Sequence, residues 1–111
     1  FPTVFYTFVK NIKKLGHHDV VAPFPLSSQQ AAEVLKYYNI TADLIYIDAS
    51  HEYKAVKDDL ETWLPFLKKG GAMIGDDFRD EWPGVIQAVT EVFGEIDRHG
   101  VVWSTSTSNS N

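Results

Sequence analysis

Hydrophobic positions follow two different spacings along the chain, and each spacing predicts a type of element. Between Phe5 and Leu15 apolar residues recur every three or four positions, which predicts a helix with one buried face that ends at Gly16. The segment SSQQAAEVLKYY has the same spacing, with Ser27 or Ser28 as its N-cap. HEYKAVKDDLETWLPFL and WPGVIQAVTEVFG follow the helical pattern too. The sequence therefore predicts four helices.

Short apolar segments between these helices have the character of strands. DVVAPFP, residues 19–25, is interpreted as a short strand closed by prolines. DLIYID and AMIGDD lack polar alternation, which favours parallel strands covered on both faces, and the KKGG before AMIGDD predicts a turn. EIDRHGVVWSTS predicts two short antiparallel strands around His99 and Gly100.

The alternation of helices and strands predicts an α/β fold with a mainly parallel sheet. Neither an internal repeat nor a linker divides the chain. We expect one domain over residues 1–103, followed by a polar, low-complexity tail over residues 104–111.

Composition narrows the possible partners. The 111 residues carry a net charge of -5 and no basic stripe, which weighs against nucleic acid. Cysteine is absent, so disulfides and thiolate metal sites are excluded. No apolar run approaches the roughly 20 residues that span a bilayer, and there is no signal-peptide pattern. We expect a cytoplasmic protein that acts on a small molecule and does not bind membranes.

Carboxylates follow two of the predicted strands. Asp48 ends the first, and Asp76 and Asp77 end the next. Ligands of parallel sheets bind outside the carboxyl ends of the strands, and three converging carboxylates favour a hard divalent ion such as Mg²⁺. Aspartates after strands also form turns and cap helices. Both interpretations stay open on the residues alone.

His51 lies just beyond the first of these strand ends. Its ordinary pKa of about 6.5 suits a general base. A solvated residue at the start of a helix is the simpler interpretation, and the residues alone favour it. The other histidines are interpreted as solvated, and the tryptophans as packing residues: His17, His18 and His99; Trp63, Trp82 and Trp103.

Longer phrases of the sequence resemble a known family. ADLIYIDASHEYKAVKDDLETWLPFLKKGGAMIGDDF and WPGVIQAVTEVF resemble the C-terminal half of class I S-adenosylmethionine-dependent methyltransferases, in particular the small-molecule O-methyltransferase-like group that includes the macrocin O-methyltransferases. FYTFVKNIKKLG resembles the helix that precedes the third strand of that fold. The resemblance implies a partial Rossmann-like fold: a mainly parallel sheet with helices on both faces and an antiparallel C-terminal edge, without the first two strands.

The resemblance also implies a reaction, which is methyl transfer from S-adenosylmethionine to a small-molecule hydroxyl. Asp48, Asp76 and Asp77 match the acidic positions that bind Mg²⁺ or another divalent ion in that family. There the metal lowers the pKa of the substrate oxygen. His51 would be a base or a substrate contact, and Ser50 stands where some relatives have an acidic residue.

The resemblance to the family is weakest at the cofactor site. PLSS matches a region near the adenine, which makes Ser27 and Ser28 candidate cofactor contacts. No glycine-rich turn follows an early strand. We therefore expect a fragment that lacks the cofactor site when alone and whose longer parent is the enzyme.

Two alternatives remain. The chain is a non-catalytic α/β remnant that forms homo-oligomers through its exposed sheet edges, or it belongs to a hydroxylase or glycan-modifying relative with the same fold. Substrate selection usually resides in loops, so the sequence does not name the substrate.

Overall fold

The computed structural model describes residues 2–48 and 50–105, which form helices around one small sheet. The helices are α1 (Pro2–Lys14), α2 (Ser28–Tyr37), α3 (Tyr53–Trp63) and α4 (Pro83–Phe93), with a 3-10 turn at Leu64–Phe66. The strands are β1 (Ala42–Ile47), β2 (Leu67–Gly75), β3 (Asp97–His99) and β4 (Val102–Ser104). All four predicted helices are confirmed.

In the described residues the sheet has four strands in the order β1-β2-β4-β3. β1 and β2 are parallel, and α3 connects them. β4 runs antiparallel to β2, and β3 runs antiparallel to β4. The α/β fold and its antiparallel C-terminal edge are therefore confirmed.

Local signals in the sequence set the helix ends. Ser27 caps α2 in a capping box: its hydroxyl accepts from the Gln30 backbone N–H, and the Gln30 side chain accepts from the Ser27 N–H. Pro83 occupies the first turn of α4, where its missing N–H costs no helical hydrogen bond. Gly94 ends α4 with a φ of 72°, a conformation that favours glycine.

The predicted strand at residues 19–25 is wrong. This segment contains a turn and then irregular backbone, and in the described residues it pairs with no strand. The N–H groups of Val20 and Val21 both donate to the carbonyl of His17, at 3.0 Å each. A strand needs a neighbour to satisfy its backbone groups, and here a local turn satisfies two of them.

The turn predicted at residues 68–71 is also wrong, because these residues belong to β2. The ladder between β1 and β2 is irregular between Ala42 and Leu44. Gly71 makes this close pairing possible, since a Cβ atom there would lie 2.7 Å from the Asp43 carbonyl oxygen.

The core lies on one face of the sheet, between the strands and the helices α3 and α4. Ile45 and Ile47 of β1 pack against it. Its buried members come from both helices, from β2 and β4 and from the loop after β2: Val56, Leu60, Met73, Phe78, Val85, Ala88, Val89 and Trp103. Gly75 admits the Trp103 ring, because a Cβ at this position would lie 2.6 Å from it.

The opposite face of β1 is open. Leu44 and Tyr46, which alternate with the two core isoleucines, keep 59% and 50% of their surface exposed. In the described residues β1 also has a strand partner on one edge only. The cover predicted on both faces of β1 is therefore not found, because the helices that build the core pack on a single face.

The C-terminal boundary falls later than predicted. Ser104 pairs with Ile74 of β2, and the Thr105 N–H donates to the Met73 carbonyl at 2.9 Å. Ser104 therefore belongs to the sheet and Thr105 is hydrogen-bonded to it, and the rest of the predicted tail, 106–111, lies outside the described residues. Among the described helices, none is long and apolar enough to cross a membrane.

Candidate functional site

The parallel pair β1 and β2 brings the predicted carboxylates to one edge of the sheet. Ile47 pairs with Gly75, the last residues of the two strands. Asp48 and Asp76 therefore follow neighbouring strand ends, where ligands of parallel sheets bind. The structure brings together the acidic residues that the sequence singled out.

Tyr46 lies beside these carboxylates. Its hydroxyl donates a hydrogen bond to Oδ2 of Asp76 at 3.4 Å. Desolvation, followed by the negative charges of Asp76, Asp48 and Asp77, raises the pKa of Tyr46 above its ordinary value of 10.0. The tyrosine therefore stays protonated and serves as a donor to the acidic edge.

Asp77 faces His51. The Nε2 atom of His51 lies 2.8 Å from Oδ2 of Asp77, and the two side chains are 43% and 27% exposed. Asp77 adopts a left-handed φ of 64°, and its backbone N–H donates to Oδ1 of Asp76 at 2.7 Å. The structure thus makes a histidine–carboxylate pair from residues 26 positions apart.

The indole of Trp82 covers one face of His51. The ring centroids are 3.9 Å apart and the planes differ by 13°, so the rings are stacked. Sequence analysis assigned Trp82 to packing and missed this contact. No local pattern could have indicated it, since the loop after β2 carries the tryptophan and the segment after β1 carries the histidine.

A three-aspartate metal site does not fit the arrangement of these side chains. Asp76 accepts from Tyr46 and from the Asp77 N–H, and Asp77 binds His51. Within residues 2–48 and 50–105, no group of three or more His, Cys, Asp and Glu side chains is arranged to hold a metal ion. The predicted magnesium site therefore stays a prediction.

The two serines predicted to contact the cofactor have different surroundings. Ser27 uses its hydroxyl to cap α2. Ser28 lines a groove of about 420 Å³ that runs along the free edge of β1 to Asp48. Asp59 lies in the same groove, where burial raises its pKa above 3.8 and a hydrogen bond from Ser28 opposes the rise. Of the two, only Ser28 lines this groove, and contact of either serine with a cofactor stays a prediction.

The groove is mostly apolar. Its remaining walls come from α2, the loop before β1, β1 itself, α3 and the 3-10 turn: Leu35, Ile40, Thr41, Ala42, Leu44, Ile45, Tyr46, Ile47, Trp63 and Phe66. Such a surface suits the flat, partly apolar part of a ligand, with polar groups at one end to orient it. Asp48 supplies that polar end beside the histidine–carboxylate pair.

Carboxylates at the ends of two parallel strands, next to an apolar groove, define an α/β protein with a candidate ligand-binding edge. Comparison with known proteins narrows the class. A family model described as "Methyltransferase domain" matches residues 5–78. The match covers more than half of the chain, and the protein belongs to this methyltransferase family.

One curated relative is similar to this chain over most of its length. Uncharacterized protein R132 of Acanthamoeba polyphaga mimivirus is 27% identical over 90 residues, which are 79% of this chain and 36% of the relative. The chain therefore spans about a third of that relative's length.

Two solved structures share the fold, both of the calicheamicin methyltransferase CalS11. The apo structure, described as a TDP-rhamnose 3'-O-methyltransferase of calicheamicin biosynthesis, superposes with a TM-score of 0.58 at 21% identity. It covers 70% of this chain and 37% of its own. The second superposes with a TM-score of 0.57 at 21% identity, over 70% of this chain and 34% of its own. At this level of identity the likeness concerns the fold alone.

Proposed function

We propose that this chain supplies the acidic edge of an S-adenosylmethionine-dependent methyltransferase that methylates a hydroxyl group of a small molecule. The pair formed by His51 and Asp77 carries the proposal. It is a partly exposed imidazole held by a carboxylate at the ligand-binding edge of a methyltransferase-family sheet. The printed activity of CalS11, an O-methyltransferase, supports the choice of a hydroxyl as acceptor.

In the proposed reaction His51 takes the proton of the substrate hydroxyl while the oxygen forms its bond to the methyl carbon. Asp77 accepts a hydrogen bond from the imidazole and stabilises the imidazolium that results. Bound S-adenosylmethionine would supply the methyl group and retain the electron pair of the broken sulfur–carbon bond. Ser28 and Asp48 are our candidates for contacts to it, since both line the groove.

A methyl-transfer assay on the intact protein that carries this chain tests the proposal. It uses labelled S-adenosylmethionine and a panel of small hydroxyl compounds, including nucleotide sugars. We expect His51→Ala to lower kcat on the order of 10²- to 10⁴-fold. His99→Ala is the matched control, because His99 is exposed on β3 and lies outside the site. Equal activities of the wild type and His51→Ala would refute the role of His51.

The same assay addresses the predicted metal. Activity that is lost in EDTA, restored by Mg²⁺ and no longer restored in Asp48→Asn would establish the magnesium site. Activity that persists in EDTA would refute it. Failure of the intact protein to bind S-adenosylmethionine in calorimetry would refute the proposed function as a whole.

A second candidate function follows from the open edge of β1: association of the isolated chain with a second copy. The exposed side chains Leu44 and Tyr46 and the unpaired strand edge support it. We expect analytical ultracentrifugation to detect dimers that Leu44→Lys abolishes. Val4→Lys, at an exposed position on α1, is the control and should leave them intact. A wild-type monomer at high concentration would refute this candidate.

A further inference from the structure

Two contacts hold the imidazole of His51, and a third involves its backbone. Its Nε2 lies 2.8 Å from the Asp77 carboxylate, and Trp82 stacks on its face at 3.9 Å. The third contact is through the backbone, where α4 begins. A Cβ on Gly84 would lie 3.0 Å from the His51 carbonyl oxygen and 2.6 Å from the Tyr53 nitrogen. The start of α4 is therefore in close contact with the backbone of the segment that carries His51.

Consecutive turns fix the spacing between Asp77 and Trp82. The Arg79 N–H donates to the Asp77 carbonyl, the Trp82 N–H to the Arg79 carbonyl, and the Val85 N–H to the Trp82 carbonyl. These bonds measure 2.9, 2.9 and 3.0 Å and lead without a break into α4. The carboxylate and the indole therefore reach His51 from one ordered segment.

The identity of the partner atoms determines where the histidine carries its hydrogen. An ionised carboxylate only accepts hydrogen bonds, so the hydrogen of a neutral His51 resides on Nε2. The other nitrogen, Nδ1, then has a free lone pair. Among the hydrogen bonds of the described residues, His51 uses only Nε2. In this tautomer Nδ1 is the ring nitrogen without a hydrogen.

Stacking on Trp82 adds a steric effect, because the flat contact opposes rotation of the imidazole out of the plane in which it meets Asp77. No other histidine of the described residues combines these features. His18, for example, lies 3.7 Å from Asp19 with 58% of its side chain exposed.

We propose that Asp77 and Trp82 are positioning residues that hold the imidazole of His51 in one orientation and in the Nε2–H tautomer, with Nδ1 free of hydrogen. For its effect on activity the inference rests on the proposed function, but the tautomer and the orientation of the ring are properties of the chain itself. They can therefore be measured without substrate.

The test is nitrogen-15 NMR of the imidazole rings in the 111-residue chain, at a pH well above the ordinary histidine pKa of about 6.5. We expect His51 to show the limiting shifts of a single Nε2–H tautomer, whereas exposed His99 shows averaged shifts. The His51 ring protons should lie upfield, because they sit over the indole. Averaged shifts and no upfield displacement at His51 would overturn the inference.

Variants separate positioning from a merely structural role. Trp82→Ala should abolish the upfield displacement and move the nitrogen shifts of His51 toward averaging, and Trp82→Phe should restore both. Asp77→Asn retains the size of the side chain but changes the acceptor, so it should shift the tautomer while leaving the stacking. Unchanged His51 spectra in Trp82→Ala and Asp77→Asn, with folding verified by circular dichroism, would overturn the assignment.

Kinetics of the intact protein complete the test. We expect Trp82→Ala to lower kcat on the order of 10-fold to 100-fold with little change in KM, since it misplaces the base without removing it. Trp82→Phe should recover most of the loss. A fixed His51 tautomer together with full activity of His51→Ala would refute the proposed function and leave the positioning intact. An averaged tautomer together with an inactive His51→Ala would overturn the inference about positioning and leave the proposed function intact.

Discussion

The packed face of the sheet and its open face place similar side chains in opposite environments. Leu60, Met73 and Trp103 are at most 1% exposed, because two helices and three strands meet around them. Leu44 and Tyr46 of β1, on the open face, are 59% and 50% exposed. Apolar character alone therefore does not determine burial. What decides it is how many elements pack on a given face.

The largest expected effect sharpens this comparison with one substitution on each side. Leu60→Ala removes a side chain with no exposed surface and should lower the free energy of unfolding by about 2–5 kcal/mol. Leu44→Ala, on the open face, should change it by less than about 0.5 kcal/mol. Urea unfolding measures both. Similar losses for the two variants would mean that the open face is covered in solution.

A glycine substitution on the packed side should have the next largest effect. Gly75→Ala places a Cβ 2.6 Å from ring atoms of Trp103, which fills space that the core does not have. We expect a loss of about 1–3 kcal/mol in the free energy of unfolding. Trp103→Phe in the same chain should recover part of it, because the smaller ring leaves room. Strictly additive losses in the double-mutant cycle would contradict this explanation.

The smallest expected effect concerns an exposed network that joins α3 to α4. Glu91 accepts from the Tyr53 hydroxyl, from Gln87 at 3.1 Å and from the Lys57 ammonium at 3.3 Å. The hydrogen bond from Tyr53 contributes most to lowering the pKa of Glu91 below 4.5. A lowered pKa in the folded state stabilises the fold above the unfolded value. That contribution is lost as the pH falls below 4.5.

Glu91→Gln should therefore flatten the decline of stability with falling pH in this window. The measurement is urea unfolding at successive pH values from neutral downwards. Glu95→Gln, at an exposed glutamate after α4, is the control and should retain the decline. An identical pH dependence in Glu91→Gln and the wild type would show that the network contributes nothing to stability. Screening by solvent keeps the expected effect small.

Much of the site could be predicted from where the strands end. Asp48 and Asp76 follow adjacent parallel strands, as the apolar runs indicated. The pairing of His51 with Asp77 and the stacking on Trp82 could not be predicted, because both contacts join distant segments. The magnesium prediction used the types of residue at the edge. The folded chain instead engages Asp76 with Tyr46 and Asp77 with His51.

Local chemistry in the sequence by itself determined the helices and the hairpin. The capping box at Ser27, the proline at position 83 and the glycine at position 94 act within one or two turns of backbone, so their effects need no distant partner. The β3–β4 hairpin is equally local. Tertiary structure alone decided that residues 19–25 form no strand, that Leu44 stays exposed and that Trp82 meets His51. Each of these depends on which surfaces come together. The spacing of side chains within a segment does not specify which other segments will pack against it.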